Sequence, residues 1–273
     1  MRFGQSLLKT WLPPVIVPVI QRLRRNCIRF EGSYENWEDA LADCTGYDAE
    51  SILANVLKAS LKVKRGEAVY ERDSVLFDSI EYAWPVTAGL MLAAALNYGR
   101  LDVIDFGGAL GSSYFQNRVF LDELTQIRWS VIEQSHYVRA GREHIADENL
   151  RFYETSEQCL LENQPNAVLF SSVLQYLPEP RLVVDSFAKL GVDYLIIDRT
   201  PFLVNEEASL IKMQRVPSSI YAASYPCWFF NMTDFIQSIE KLGYKKIVKF
   251  NSLDKLSNLA SWQGLIFKRT NNK

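Results

Sequence analysis

Leu101-Asp-Val-Ile-Asp105-Phe-Gly107-Gly108-Ala109-Leu110-Gly111 passes from a short apolar run into a glycine-rich turn. The run reads as a buried strand, and residues of about 113–124 read as the helix that follows. Residues without bulk let a backbone turn sharply and approach a ligand closely. In open parallel sheets such ligands sit outside the carboxyl ends of the strands.

The alternation continues on both sides of this turn. Further strands are expected over 129–133, 150–153, 167–170 and 194–198, with helices over 137–146 and 181–189 between them. A helix over 232–242 and two strands over 244–250 and 262–268 close the chain, and an antiparallel closing pair is expected. Alternating strands and helices imply an α/β fold, a mostly parallel seven-stranded sheet with helices on both faces. Residues 199–231 form a long aromatic-rich stretch with no assigned element. Upstream, Asn36 caps a helix over 37–43, and Asp48 caps a longer one with Ile52, Leu53, Val56, Leu57 and Leu61 at helical spacing. Residues 70–82 read as a loop with a short helical turn. Pro85 opens a helix that runs to Asn97 and ends at Gly99; it is apolar nearly all round, so it is expected to be buried. Three regions result: a basic apolar segment over 1–30, a helical extension or lid over 31–99, and a cofactor-binding domain over 100–273.

The 273 residues are 48% hydrophobic and 23% charged, which excludes a disordered chain, a collagen and a disulfide-stapled miniprotein. A net charge of −2 speaks against nucleic acid as a partner. Cys27, Cys44, Cys159 and Cys227 form no C-x-x-C pair, and His136 and His144 are the only histidines. No metal site is expected, and reduced thiols suit a cytoplasmic protein. Six of the 30 basic residues and none of the 32 acidic ones fall in 1–30, which leaves −8 on the remainder. The apolar run over 11–20 is broken by Pro13, Pro14 and Pro18 and is too short for a bilayer core that needs about 20 residues. Two readings fit this segment. Phe3, Leu7, Leu8, Trp11 and Leu12 can sink into headgroups while the arginines meet anionic lipid, giving peripheral contact at the inner membrane face. Alternatively the segment docks on its own domain or on a second subunit.

The glycines discriminate among ligands. A dinucleotide G-x-G-x-x-G counted from Gly107 requires glycines at 109 and 112, where Ala109 and Ser112 stand. The spacing acid-x-G-x-G-x-G fits Asp105, Gly107 and Gly111, with Ala109 at the central position. Val131-Ile132-Glu133 ends the second strand in an acid. Ala167-Val-Leu-Phe-Ser-Ser-Val-Leu-Gln175-Tyr176-Leu-Pro178-Glu-Pro180 ends the fourth strand in a turn and a proline break. In this order and spacing, residues of about 85–270 resemble the class I S-adenosylmethionine-dependent methyltransferases. Asn166, where an acid often opens the fourth strand, is a second departure from their pattern. Tyr70-Glu-Arg-Asp73, Ser171-Ser-Val-Leu-Gln-Tyr176 and Ser224-Tyr-Pro-Cys-Trp-Phe-Phe230 are similar to a poorly characterised bacterial group of methyltransferase-like proteins that accompanies surface-polysaccharide genes.

The resemblance implies a Rossmann-like methyltransferase sheet, S-adenosylmethionine as cofactor and a small-molecule acceptor, with a sugar or surface-polysaccharide precursor as its class. It implies that Gly107, Gly108 and Gly111 meet the amino-acid end of the cofactor, with Asp105 beneath the loop. Glu133 would hold the ribose, which suits a carboxylate accepting two bonds from a diol. Gln134, Thr155 and Ser156 would lie by the adenine, and Ser171 and Ser172 by the reacting methyl. Asp198 and His136 are the candidate general bases, and Arg199 is a candidate for a carboxylate or phosphate. Tyr221, Tyr225 and Trp228 would face the acceptor or pack a lid, and Tyr70, Glu71 and Arg72 could close the mouth from the extension. Two other functions stay open on the residues. One is an NAD(P)-dependent oxidoreductase, disfavoured by the glycine spacing and by the lack of a Tyr-x-x-x-Lys pair after the fourth strand. The other is a non-catalytic methyltransferase-like binding scaffold, which Ala109 and the lack of an obvious base keep open.

Overall fold

The computed structural model describes residues 28–46, 49–72, 74–205, 207–217, 223–254 and 257–270. The chain opens with β1 (Arg29–Tyr34), α1 (Trp37–Ala42), α2 (Ala49–Lys64), a hairpin of β2 (Tyr70–Arg72) and β3 (Val75–Phe77), and α3 (Trp84–Ala95). There follow β4 (Arg100–Phe106), α4 (Ser112–Leu121), β5 (Gln126–Ile132), α5 (Ser135–Ala140) with a wider turn (Gly141–Ile145), and β6 (Leu150–Tyr153). The second half holds α6 (Ser156–Glu162), β7 (Ala167–Ser171), α7 (Pro180–Lys189), β8 (Tyr194–Leu203), β9 (Leu210–Val216), β10 (Ala223–Phe229), α8 (Met232–Glu240), β11 (Tyr244–Asn251) and β12 (Ala260–Arg269).

Seven strands form one sheet in the order β11-β12-β8-β7-β4-β5-β6. Strands β6, β5, β4, β7 and β8 are parallel, and β12 runs antiparallel to both β8 and β11. This is the mostly parallel seven-stranded sheet expected from the alternation, with the 101–105 strand at its centre. The chain winds from β4 to one side and then returns through β7 to the other. The β4–β7 boundary is therefore the switch point where a crevice opens.

Side chains alternate strictly across this sheet, as the period of two requires. Val103, Trp129, Leu169 and Ile196 face α2, α3, α4 and α5. Ile104, Phe170, Leu195 and Ile197 face α6, α7 and α8. Both faces are covered, so the strands read as continuous apolar runs.

The structure departs from the sequence expectations at four places. Residues 70–82 contain the β2–β3 hairpin rather than a helical turn, with Tyr70 opposite Phe77. Helix α3 is not buried all round: Leu90, Ala93 and Ala94 are buried, while Trp84 and Leu92 face outward. Strand β8 continues five residues past Asp198. Finally, 199–231 is not irregular. It supplies β9 and β10, which join β1 in a second, antiparallel sheet of order β1-β9-β10. The extension therefore contributes strands as well as helices, and β1 begins at Arg29.

Candidate active site

The loop after β4 fills the crevice. Gly107 lies at φ +71, in the left-handed region that favours glycine, and its N–H donates to the Ile132 carbonyl at 2.9 Å. A Cβ on Gly108 would stand 2.5 Å from the Asp105 carboxyl carbon, so only hydrogen fits there. Gly111, at φ +87, leads into α4. The central position carries a methyl group, and Ala109 nevertheless adopts φ +49.

Two cavities flank this loop and share Gly107 and Ser172 in their walls. The first is walled by Asp105, Gly108, Ala109, Ser171, Asp198 and Arg199, and is closed from the hairpin by Tyr70 and Arg72. The second is walled by Glu133, Gln134, Thr155, Ser156, Val173 and Leu177. Eleven of the candidate site residues thus line the two cavities, from the β5–β6 end of the sheet to β8, and Gly111 lines neither.

Electrostatics distinguish the acids along this path. Asp105 is fully buried beneath the loop and accepts a hydrogen bond from Trp129 Nε1 at 3.1 Å, while its Oδ1 has no partner among the described residues. Burial pushes its carboxyl up to about 7, against the pull of the indole N–H. Its described partner is thus an indole rather than a backbone N–H of the loop, and Asp105 itself lines the first cavity. Glu133 accepts the N–H of Gln134 at 2.7 Å. Burial raises its carboxyl above the usual range, and the N–H groups of Gln134 and Ala109 oppose that rise. Asp198 accepts from Ser252 Oγ at 2.7 Å, and it too is raised by burial, with Ser252 and Arg199 opposing.

Backbone strain gathers at the same place. Five non-glycine described residues have positive φ, and three of them, Ala109, Ser172 (+58) and Arg199 (+52), line the first cavity. Such conformations cost about 1–3 kcal/mol each and persist where the surroundings over-determine them. Arg199 owes its conformation to a bulge, with Asp198 and Arg199 opposite the single residue Gly264. Gln175, itself buried, donates from Nε2 to Ser172 Oγ and to the Arg199 carbonyl, both at 3.2 Å, and so clamps two of the strained residues together.

Other candidates lie elsewhere. Thr155 caps α6 by accepting from Gln158 N at 3.2 Å while also lining the second cavity. His136 is in the first turn of α5, its ring 5.0 Å from that of Tyr137, and lines neither cavity. Tyr225 packs on Tyr176 at 5.2 Å, and Trp228 stacks between Trp37 and Phe230 while donating to the Leu177 carbonyl. Both anchor the second sheet on the turn over 174–177 and line neither of the two cavities. Tyr221 lies outside the described residues. Sequence reasoning did not single out Ser252 and Asp254, which follow β11. Asp254 Oδ2 receives Arg199 Nε at 2.6 Å, and its Oδ1 is 3.9 Å from Arg72 Nη2. No local pattern marks them, because β11 reaches the site only through the sheet order.

No protein-family profile matches the sequence, and no curated protein matches it. Among solved structures, the N-terminal domain of EvdMO1, crystallised with SAH and D-fucose, aligns with a TM-score of 0.49 and 12% identity over 82% of this chain and 98% of that one. Magnesium protoporphyrin IX methyltransferase from Synechocystis PCC 6803 with bound SAM gives 0.46 and 13% over 68% and 79%. The cyclase SpnF gives 0.48 and 10% over 82% and 98%.

Proposed function

We propose that the protein is an S-adenosylmethionine-dependent methyltransferase acting on a small molecule, of the class of sugars or surface-polysaccharide precursors. The observation that carries this reading is the pair of cavities on either side of Gly107 and Ser172, one lined by Glu133 and the other by Asp198. The residues suit the cofactor. Glu133 is a half-buried acceptor for a ribose diol, the close packing of Gly108 on Asp105 leaves a cradle of backbone, and Asp105 Oδ1 is a buried acceptor awaiting a donor such as an ammonium. The acceptor class rests on the resemblance of the 70–73, 171–176 and 224–230 stretches alone.

When bound, the cofactor supplies an electrophilic sulfonium methyl. The chain's part is to orient and to exclude water, and such positioning contributes about 7–11 kcal/mol to reactions of this kind. Gln175 fixes Ser172, in the wall that both cavities share, and Arg199, in the wall of the first. Asp198 takes the proton of an attacking hydroxyl, a task favoured by its raised affinity for protons, and Ser252 holds the carboxylate in place. Titration calorimetry with S-adenosylhomocysteine and with NAD tests the reading. Binding of the first and not the second is expected; binding of NAD alone would replace it with the oxidoreductase.

A further inference from the structure

Arg72 enters the first cavity from the hairpin. Its side chain is only 19% exposed, yet its guanidinium makes no hydrogen bond among the described residues. Its contacts are the 3.9 Å ion pair with Asp254 and the Phe77 ring, 5.6 Å from Cζ. A guanidinium carries five donors in a planar fork, so Arg72, half-buried in the cavity wall, keeps donors that a ligand in the cavity can meet. Asp254 does not meet the need, because it is committed to Arg199 at 2.6 Å. Both guanidiniums thus draw on Asp254, and Arg199 lies beside Asp198 as well. The wall beside them adds the hydroxyl of Ser171. The hairpin is held down independently: Glu71, which does not line the cavity, accepts from Ser112 Oγ and from Ser60 Oγ. Arg72 is therefore delivered to this position by a fixed element.

We propose that Arg72 and Arg199 form an oxyanion site, which holds a carboxylate or phosphate group of the ligand that fills the first cavity. The planar fork matches such a group in two parallel hydrogen bonds. The group has two sources, the acceptor or the carboxylate tail of the cofactor. The tie to Asp254 and Arg199 draws the site toward β8, across Ser172 from Glu133, and this favours the acceptor. Assigning an acceptor rests on the methyltransferase reading; the oxyanion site itself does not.

The experiment uses the full chain, wild type and the variants Arg72→Gln, Arg72→Lys and Asp254→Asn, with far-UV dichroism to establish folding. Inorganic phosphate, titrated at constant ionic strength, is expected to raise the melting temperature of the wild type. Arg72→Gln should weaken the apparent phosphate affinity at least about tenfold, as loss of a charge-assisted bond implies. Arg72→Lys should weaken it less. Asp254→Asn should tighten it, because a negative charge beside both guanidiniums is removed. Calorimetry separates the sources. If Arg72→Gln weakens S-adenosylhomocysteine but not 5′-methylthioadenosine, which lacks the amino-acid tail, the anion is the cofactor's. If both nucleosides bind as before and phosphate still stabilises only the wild type at saturating S-adenosylhomocysteine, the anion is the acceptor's. Equal phosphate response in wild type and Arg72→Gln overturns the proposal, and so does no phosphate response in a wild type whose ligand affinities Arg72→Gln leaves unchanged. Should Arg72→Gln fail to fold, the absence of tightening in Asp254→Asn overturns it. A wild type that ignores S-adenosylhomocysteine yet shows Arg72-dependent phosphate binding removes the methyltransferase reading and leaves the oxyanion site standing.

Discussion

Ala109 holds its backbone at φ +49 with a methyl group facing the cavity. The left-handed region costs an L-residue about 1–2 kcal/mol, while glycine loses about 0.4–1 kcal/mol more on folding. Ala109→Gly is therefore expected to stabilise the fold by about 0.5–1 kcal/mol in urea unfolding and to tighten S-adenosylhomocysteine. Lower affinity would show that the methyl group makes a contact rather than an obstruction. Asp105 carries a different cost. Its unfolded value is near 3.9, and burial places the folded one at about 7. Between those pH values the folded chain keeps a proton that the unfolded chain has released. Its contribution to stability accordingly falls as pH rises from about 4 to about 7 and then levels off. Asp105→Asn removes this slope. In urea unfolding, the variant should outlast the wild type at pH 8 by up to about 4 kcal/mol, the equivalent of three pKa units, and the gap should narrow toward pH 5. Glu133→Ala should cost S-adenosylhomocysteine about 1.5–3 kcal/mol of binding, the range for hydrogen bonds to a charged group. Unchanged affinity would take the ribose away from Glu133.

The bulge in β8 shows what an element can do that its sequence conceals. Arg199-Thr-Pro201 looks like the end of a strand, since it brings a charge and a residue that cannot donate to a ladder. The strand continues because Pro201 lies opposite Trp262 and the two-residue bulge absorbs the change of register. Gly264 makes this possible: a Cβ there would lie 2.0 Å from the Phe250 ring and 2.7 Å from the Ile197 carbonyl. Gly264→Ala should cost about 1–3 kcal/mol through overpacking, read as a fall in melting temperature, and should displace Asp198 and Arg199. Methyl transfer is expected to drop while S-adenosylhomocysteine binding, anchored at Glu133, survives; the reverse pattern would put the acceptor elsewhere. The central strands and the glycine loop were legible because their signals are local, in apolar runs and in turns that admit little bulk. Tyr70 to Phe77 misled because a three-residue hairpin has no period to detect. The second sheet was hidden because β9 finds β1 far away in the chain. Arg72 was named only as part of a closing mouth, and Asp254 not at all, because what joins them is the order of strands in space.

At the scale of the whole molecule, the second sheet binds the extension to the region after β8. Phe30 of β1 packs edge-on against Phe229 at 5.0 Å and lies 5.8 Å from Trp262. Tyr176, beside the second cavity, donates to Gln214 at 3.0 Å. The site's shape is thereby coupled to a strand that begins at Arg29. The basic segment over 1–30 reaches that strand, and its first 27 residues lie outside the described ones. Among the described residues no helix is long and apolar enough to cross a membrane. The full chain is expected to sediment with liposomes of anionic lipid and to be released by salt, whereas a chain starting at Ile28, with β1 intact, is expected to stay in solution. Equal sedimentation of the two would leave the segment as a docking arm. The pairing of β1 also carries a cost in time. Glu31 and Arg215, which meet across β1 and β9, are 184 positions apart. At a synthesis rate of about 5–20 residues per second, β1 leaves the ribosome roughly 10–40 s before the strand that covers it. Through that interval its edge is open and Phe30 has no shelter, so the newborn chain is a client for whatever guards hydrophobic segments until translation catches up.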